Sequence, residues 1–134
     1  MSTPAQSPSR IFDYAQVDVF AERPLEGNAL AIVADARGLS TEEMQAIARE
    51  TNLCETTFIL PRAADVERER GVHVRIFTVR EELEFAGHPT LGTASWLHLN
   101  HPVLRGAREM RERGTFNFAA EAASSSEISA IFGK

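Results

Sequence analysis

The chain predicts an α+β fold, and three observations carry that prediction. Two stretches alternate apolar and polar residues with the period of a half-buried strand. One stretch opens with a complete helix-capping pattern. A second helical stretch has no charged face, the mark of a buried helix. In order, the elements read strand, strand, helix, strand, strand, helix, strand, which is not the strict alternation of a regular βαβ nucleotide-binding fold. At 134 residues, one domain with its own core is expected.

Each element has its own signal. Residues 1–10 are polar with two prolines and read as a short disordered lead; residues 11–120 form the domain. Tyr14 to Phe20 is strand-like, with Ala15, Val17 and Val19 on one face and Gln16 and Asp18 on the other. Arg23 to Asn28 reads as a turn, and Ala29 to Ala34 as a continuous apolar strand. Ser40 and Glu43 then make a capping box, and Leu39 can staple onto Met44. Met44, Ile47, Ala48 and Thr51 give this helix a core-facing stripe, and Asn52 ends it. Thr56 to Leu60 is rich in strand formers. The charged run from Pro61 to Gly71 is expected to be a solvated connection.

Val72 to Thr78 alternates again, and Val79 to Glu84 is expected to turn. A Gly87-His88 junction leads into a helix beginning at Pro89, where a missing N–H costs nothing. That helix runs to about Leu99, and Asn100-His-Pro102 breaks it. Thr115 to Ala119 is one further strand. Residues 121–134, with the run Ser124-Ser-Ser126, form a tail without a convincing element.

The net charge of −5 gives no electrostatic reason for a nucleic acid or an anionic membrane as partner. No apolar run approaches the ~20 residues of a membrane span, and the N-terminus lacks the apolar centre of a secretory signal. The one cysteine, Cys54, excludes an internal disulfide and fits a reducing compartment. The expected location is the cytoplasm.

Two places could carry chemistry. A buried helix opening at Gly87-His88 offers free N–H groups and a positive dipole end, which suit a carboxylate. On spacing alone, an equally simple account is that Gly87 relaxes a tight turn and His88 caps the helix. Glu55 lies among Leu53, Cys54 and Phe58 at the start of a strand. Partial burial there would disfavour its charged form, as a proton-shuttling carboxyl requires; a solvated strand-start Glu is the simpler reading. Cys54 among apolar neighbours reads as packing. His98 and His101 lack a third ligand at metal-site spacing, so no metal is expected. Nucleotide loops, G-x-S-x-G and H-E-x-x-H are missing.

Three segments together are similar to the PhzF (phenazine biosynthesis) family, which shares its fold with diaminopimelate epimerase. They are Asp18 to Ala31 (DVFAERPLEGNALA), Met44 to Phe58 (MQAIARETNLCETTF), and Arg75 to Thr78 followed by Phe85 to Ala94 (FAGHPTLGTA). Residues 12 to 99 carry the likeness, about the first half of such an enzyme. It implies one diaminopimelate-epimerase-like half: a curved mixed β-sheet wrapped around a central helix, here the helix from Pro89.

The resemblance also implies an isomerase moving protons by acid/base chemistry without metal or organic cofactor, on a small carboxylate such as a dihydro-hydroxyanthranilate. Glu55 then matches the acid/base glutamate and His88 the active-site histidine. The Gly87-His88 backbone matches the substrate-binding turn. Cys54 stands beside the glutamate where a small polar residue is usual. Related epimerases use a cysteine at the turn occupied here by Gly87, which argues against a two-thiol epimerase. Nothing after Leu99 matches the second half, so weak activity alone is expected. A homodimer is expected to cover the cleft. The competing reading is a non-catalytic half-domain that binds a small carboxylate or a partner chain. The isomerase reading requires Glu55 and the opening of the second long helix to converge.

Overall fold

The computed structural model describes residues 9–23 and 25–100, together with the backbone of 110–111 and 115–116. In chain order the elements are β1 (Tyr14–Val19), β2 (Asn28–Val33), α1 (Thr41–Thr51), β3 (Thr56–Leu60), α2 (Ala64–Arg70), β4 (Val72–Phe77), β5 (Glu82–Leu83), α3 (Gly87–Asn100), β6 (Met110–Arg111) and β7 (Thr115–Phe116). The class is α+β, as the pattern predicts.

The strands form one mixed sheet in the order β1-β2-β3-β4, with β5 and β7 both on the outer edge of β4 and β6 on β7. All pairings are antiparallel except β2–β3, where the chain crosses over through α1. Tyr14 lies opposite Val33 and Val19 opposite Asn28; Ala31 lies opposite Thr56.

Strand alternation divides the core into two clusters, one on each sheet face. Leu30, Ile32, Ile59, Val72 and Val74 pack with Val19 against Ala94 and Leu97 of α3. Val33, Phe58 and Phe77 pack against Met44 and Ala48 of α1. Each fully buried Leu, Ile or Phe contributes roughly 1.5–3 kcal/mol, so the sheet is anchored to both helices. The two helices achieve this differently. Helix α1 is amphipathic and begins with the expected capping box: Ser40 Oγ accepts from Glu43 N–H at 3.1 Å, and Glu43 Oε2 accepts from Ser40 N–H at 2.8 Å. Asn52 closes it in the left-handed region at φ 54°.

Helix α3 carries no acidic or basic side chain except histidine, and buries Pro89, Thr90, Gly92, Thr93, Ala94 and Leu97. Its small residues set its distance from the sheet. A Cβ on Gly92 would lie 2.6 Å from both Leu30 Cδ2 and Val19 Cγ2, so the helix axis sits where only glycine fits. Thr93 Oγ1 and Thr57 Oγ1 pair at 2.8 Å across the same buried interface.

Several expectations are corrected. The charged run 61–71 is not a loop: it holds α2, with Asp65 and Glu67 in the first turn and Arg68 and Arg70 in the last, matching the helix dipole. Glu67 is buried and accepts from Arg62 N–H at 3.0 Å. The segment 79–84, expected to turn, contains β5, whose Leu83 pairs with Ile76. Helix α3 starts at Gly87, two residues before Pro89; Pro89 still falls in the first turn, where no intrahelical donor is needed. Phe20 leaves β1 with φ 60°. Arg10, at the end of the expected lead, donates to Gly38 O at 3.1 Å and pairs with Glu43. The expected strand at 115–119 coincides with β7 at its first two residues; 117–119, His101 and the 121–134 tail lie outside the described residues.

Candidate active site

The start of α3, the α1–β3 connection and the start of β2 meet at one end of the sheet. His88, the second residue of α3, bridges the other two. Its Nδ1 lies 2.8 Å from Glu55 Oε2, and its Nε2 lies 3.0 Å from the carbonyl oxygen of Asn28. Side-chain exposure is 11% for His88 and 18% for Glu55, so the pair is largely shielded from water.

These contacts fix the protons. A carbonyl only accepts, so His88 Nε2 carries a hydrogen and donates it to Asn28 O. A carboxylate oxygen and a bare imidazole nitrogen would repel at 2.8 Å, so one proton lies between Nδ1 and Oε2. It belongs either to an imidazolium facing a carboxylate or to a carboxyl facing a neutral imidazole. The pair sits next to the N-terminus of α3.

At that terminus Thr90 N–H is bonded to Ala86 O at 3.2 Å, and Pro89 has no N–H. Gly87 and His88 therefore supply the amides at the mouth of α3. Gly87 is exposed, and beyond its chain neighbours and its own helix backbone no heavy atom lies within 4 Å of where its Cβ would be. Phe20, at the end of β1, places its ring 6.4 Å from the His88 ring at a 38° tilt.

Of the residues named from sequence, Glu55, His88 and Gly87 are brought together. Glu55 is largely shielded rather than solvated, and the His88 side chain reaches Glu55 and the Asn28 carbonyl. Cys54 is corrected: it is exposed, not packed. It lies in the connection 52–55 that follows the left-handed Asn52, outside both α1 and β3, so neither element turns its side chain inward. Sequence reasoning missed the Asn28 carbonyl and Phe20 as neighbours of His88. Both lie inside the first resembling segment, which was the available signal.

A separate open groove of about 470 Å³ runs along β4 and β5, lined by Leu60, His73, Arg75 and Glu82 among others. It contains neither Glu55 nor His88. Its guanidinium is already engaged, Arg75 donating to Glu82 at 2.7 Å and to Thr41 Oγ1 at 3.0 Å. Among the described residues no group of three or more His, Cys, Asp or Glu could hold a metal ion, and no helix is long and apolar enough to cross a membrane.

The family model described as phenazine biosynthesis-like protein matches residues 17–126. A trans-2,3-dihydro-3-hydroxyanthranilate isomerase of Pseudomonas aeruginosa is 45% identical over 108 residues, 81% of this chain and 37% of that protein. An uncharacterized isomerase of Mesorhizobium japonicum is 51% identical over 82 residues, 61% of this chain and 26% of that one.

Among solved structures, a predicted epimerase from Pseudomonas aeruginosa superposes with TM-score 0.61 at 49% identity, over 69% of this chain and 31% of that one. A phenazine biosynthesis PhzC/PhzF protein from Clostridium difficile gives TM-score 0.65 at 28% identity, over 78% and 38%. The chain thus spans between 26% and 41% of the length of these and similar curated relatives.

Proposed function

The chain belongs to the phenazine biosynthesis-like family, and we propose that it is an isomerase-type protein that moves a proton between carbons of a small carboxylate. The single observation that supports this most is the 2.8 Å contact between Glu55 Oε2 and His88 Nδ1 at the mouth of α3. The substrate carboxylate, or an oxyanion formed from it, is received by the Gly87 and His88 amides, where the helix dipole favours negative charge. The loaded Glu55–His88 pair gives its proton to one carbon and recovers one from another. Atoms and charge balance over the cycle, so the product is an isomer.

In this scheme Glu55 is the group that faces the reacting carbon. His88 holds the proton between transfers, and its Nε2–H bond to Asn28 O keeps the ring from rotating. A general acid/base contributes about 10²–10⁴-fold in rate. In this scheme Cys54, exposed beside Glu55, touches bound substrate. Relatives named trans-2,3-dihydro-3-hydroxyanthranilate isomerase make a dihydroaromatic acid the first substrate to test.

Because the chain spans less than half the length of those relatives, we expect its activity alone to be low. A homodimer, placing two copies of Glu55 and His88 across one cleft, is the expected way to close the site. A stable monomer by light scattering at micromolar concentration would remove the dimer from this reading.

The test of function is deuterium incorporation. The protein is incubated in D₂O with dihydroaromatic acids and followed by NMR, wild type against Glu55→Gln. Exchange catalysed by wild type and lost in the variant supports the scheme. Exchange unaffected by the substitution takes Glu55 out of the mechanism. Binding without exchange favours the second reading, a non-catalytic domain that captures small carboxylates; the shielded acid/base pair argues for catalysis over it.

A further inference from the structure

Phe20 violates two local rules at once. It is a bulky non-glycine residue at φ 60°, a conformation disfavoured by contact between Cβ and the backbone, and its side chain is left 62% exposed. An exposed phenylalanine forfeits most of its burial energy, so its own packing does not compensate for the backbone strain. The turn around it is held in shape. Leu25 is also left-handed at φ 69°, and its N–H donates to the Asp18 carboxylate. A Cβ on Gly27 would lie 2.6 Å from the Val19 carbonyl oxygen and 2.7 Å from Ala21 Cβ, so the turn closes tightly on the end of β1. What the held conformation achieves is the placement of the Phe20 ring beside His88, at a centroid distance of 6.4 Å within the range of interacting aromatic pairs.

We propose that Phe20 is a positioning residue whose ring covers one side of the His88 imidazole and retards exchange with water of the proton that His88 shares with Glu55. The inference rests on the reading of Glu55–His88 as an acid/base pair. Its physical content is that a stored proton must leave toward substrate and not toward solvent. The two hydrogen bonds fix the imidazole in its own plane but cover neither ring face; an apolar ring can do so without competing for either nitrogen. Strain of this kind persists only where the surrounding structure imposes it, and such strain concentrates at functional sites.

The experiment follows the His88 imidazole N–H signals of the ¹⁵N-labelled full chain, assigned by their loss in His88→Gln, and measures their exchange with water at fixed pH. Phe20→Ala and Phe20→Gly are expected to exchange about tenfold faster or more, Phe20→Leu to fall between, and Phe20→Trp to restore slow exchange. Phe20→Gly is further expected to melt at or above the wild-type temperature, because glycine relaxes the left-handed backbone. Unchanged exchange in Phe20→Ala and Phe20→Gly would overturn the proposal. So would a fall in melting temperature of Phe20→Gly by more than about 5 °C, which would make Phe20 an ordinary packing residue. Glu55→Gln separates the two readings: if it shifts the His88 signals while the Phe20 variants do not, only the shielding role fails. If Glu55→Gln leaves those signals unchanged, the shared proton and the shield both fail.

Discussion

Gly92→Ala is expected to destabilise the protein even though alanine is the better helix former. The added Cβ would sit 2.6 Å from Leu30 Cδ2 and from Val19 Cγ2, and 3.6 Å from Val17 Cγ2. Carbon pairs are comfortable at about 3.5–4.0 Å, so two contacts must each open by roughly 1 Å. Neither neighbour has room, since Leu30 is 0% exposed and Val19 5%. Overpacking of this size costs about 1–3 kcal/mol, and the gain from replacing a helical glycine is at most about 1 kcal/mol. The net expectation is a loss of about 1–2 kcal/mol, read as a lower urea midpoint at unchanged m or as a drop of about 4–8 °C in Tm per kcal/mol. Gly87→Ala is the control. It lies on the same helix but nothing beyond its chain neighbours and its own helix backbone comes within 4 Å of its would-be Cβ, so it should be neutral or slightly stabilising. Displacing α3 also pulls His88 away from Asn28 O, so Gly92→Ala should shift the His88 imidazole signals as well. A Gly92→Ala protein as stable as wild type would refute the argument that α3 is seated by glycine contact.

Ser40→Ala removes one arm of the capping box and should cost about 0.5–2 kcal/mol by urea denaturation, with the His88 signals unmoved. The buried Thr57–Thr93 hydroxyl pair should behave non-additively. Thr93→Val leaves the Thr57 hydroxyl only a 3.4 Å contact to Ala31 O and should cost about 1–3 kcal/mol. Adding Thr57→Val should recover part of that loss, and a cycle that is purely additive would argue against the pair. His73 gives a pH dependence. Burial, then the positive charges of Arg62 and Arg75, hold its imidazole below the ordinary value of 6.5, so on acidification the unfolded chain takes up the proton first. Stability from this group is therefore full above about pH 6.5 and declines as pH falls through 6.5 toward the lowered folded value. His73→Gln should flatten the stability profile in that window, and an unchanged profile would refute the assignment.

How far the fold was legible follows from how local each signal is. The ladder of β1, β2, β3 and β4 and the capped helix α1 rest on period and capping chemistry within a few residues, and they lie where the sequence places them. Helix α2 was missed because it has seven residues and no apolar stripe; what anchors it is the buried Glu67 meeting the Arg62 amide, a polar contact that hydropathy reads as solvation. Strand β5 was missed because two residues have no period, and its pairing with β4 is tertiary. Cys54 was misjudged because apolar neighbours in sequence are not neighbours in space within a bent connection. Glu55 and His88 were nameable through motif likeness, but their meeting 33 residues apart in sequence needed the sheet.

That meeting follows from strand direction. In the antiparallel β1–β2 pair Val19 faces Asn28, so β1 ends, and Phe20 leaves it, where β2 begins. The parallel β2–β3 pair sets Ala31 beside Thr56, so β3 begins at the same end and Glu55 precedes it there. Only the crossover through α1 allows this, because a short hairpin from β2 would have reversed β3 and carried Glu55 to the far end of the sheet. Helix α3, held against the sheet by Gly92, then needs only to start at this end for His88 to reach Glu55 with one nitrogen and Asn28 O with the other. A one-residue slip of β3 against β2 would turn Phe58 and Ile59 to the wrong helices. The buried core on both faces therefore fixes the register that positions Glu55 and His88. In this fold the Glu55–His88 contact and the hydrophobic core are specified by the same strand pairing, and Phe20 and Leu25, left-handed at φ 60° and 69°, lie in the turn at that end.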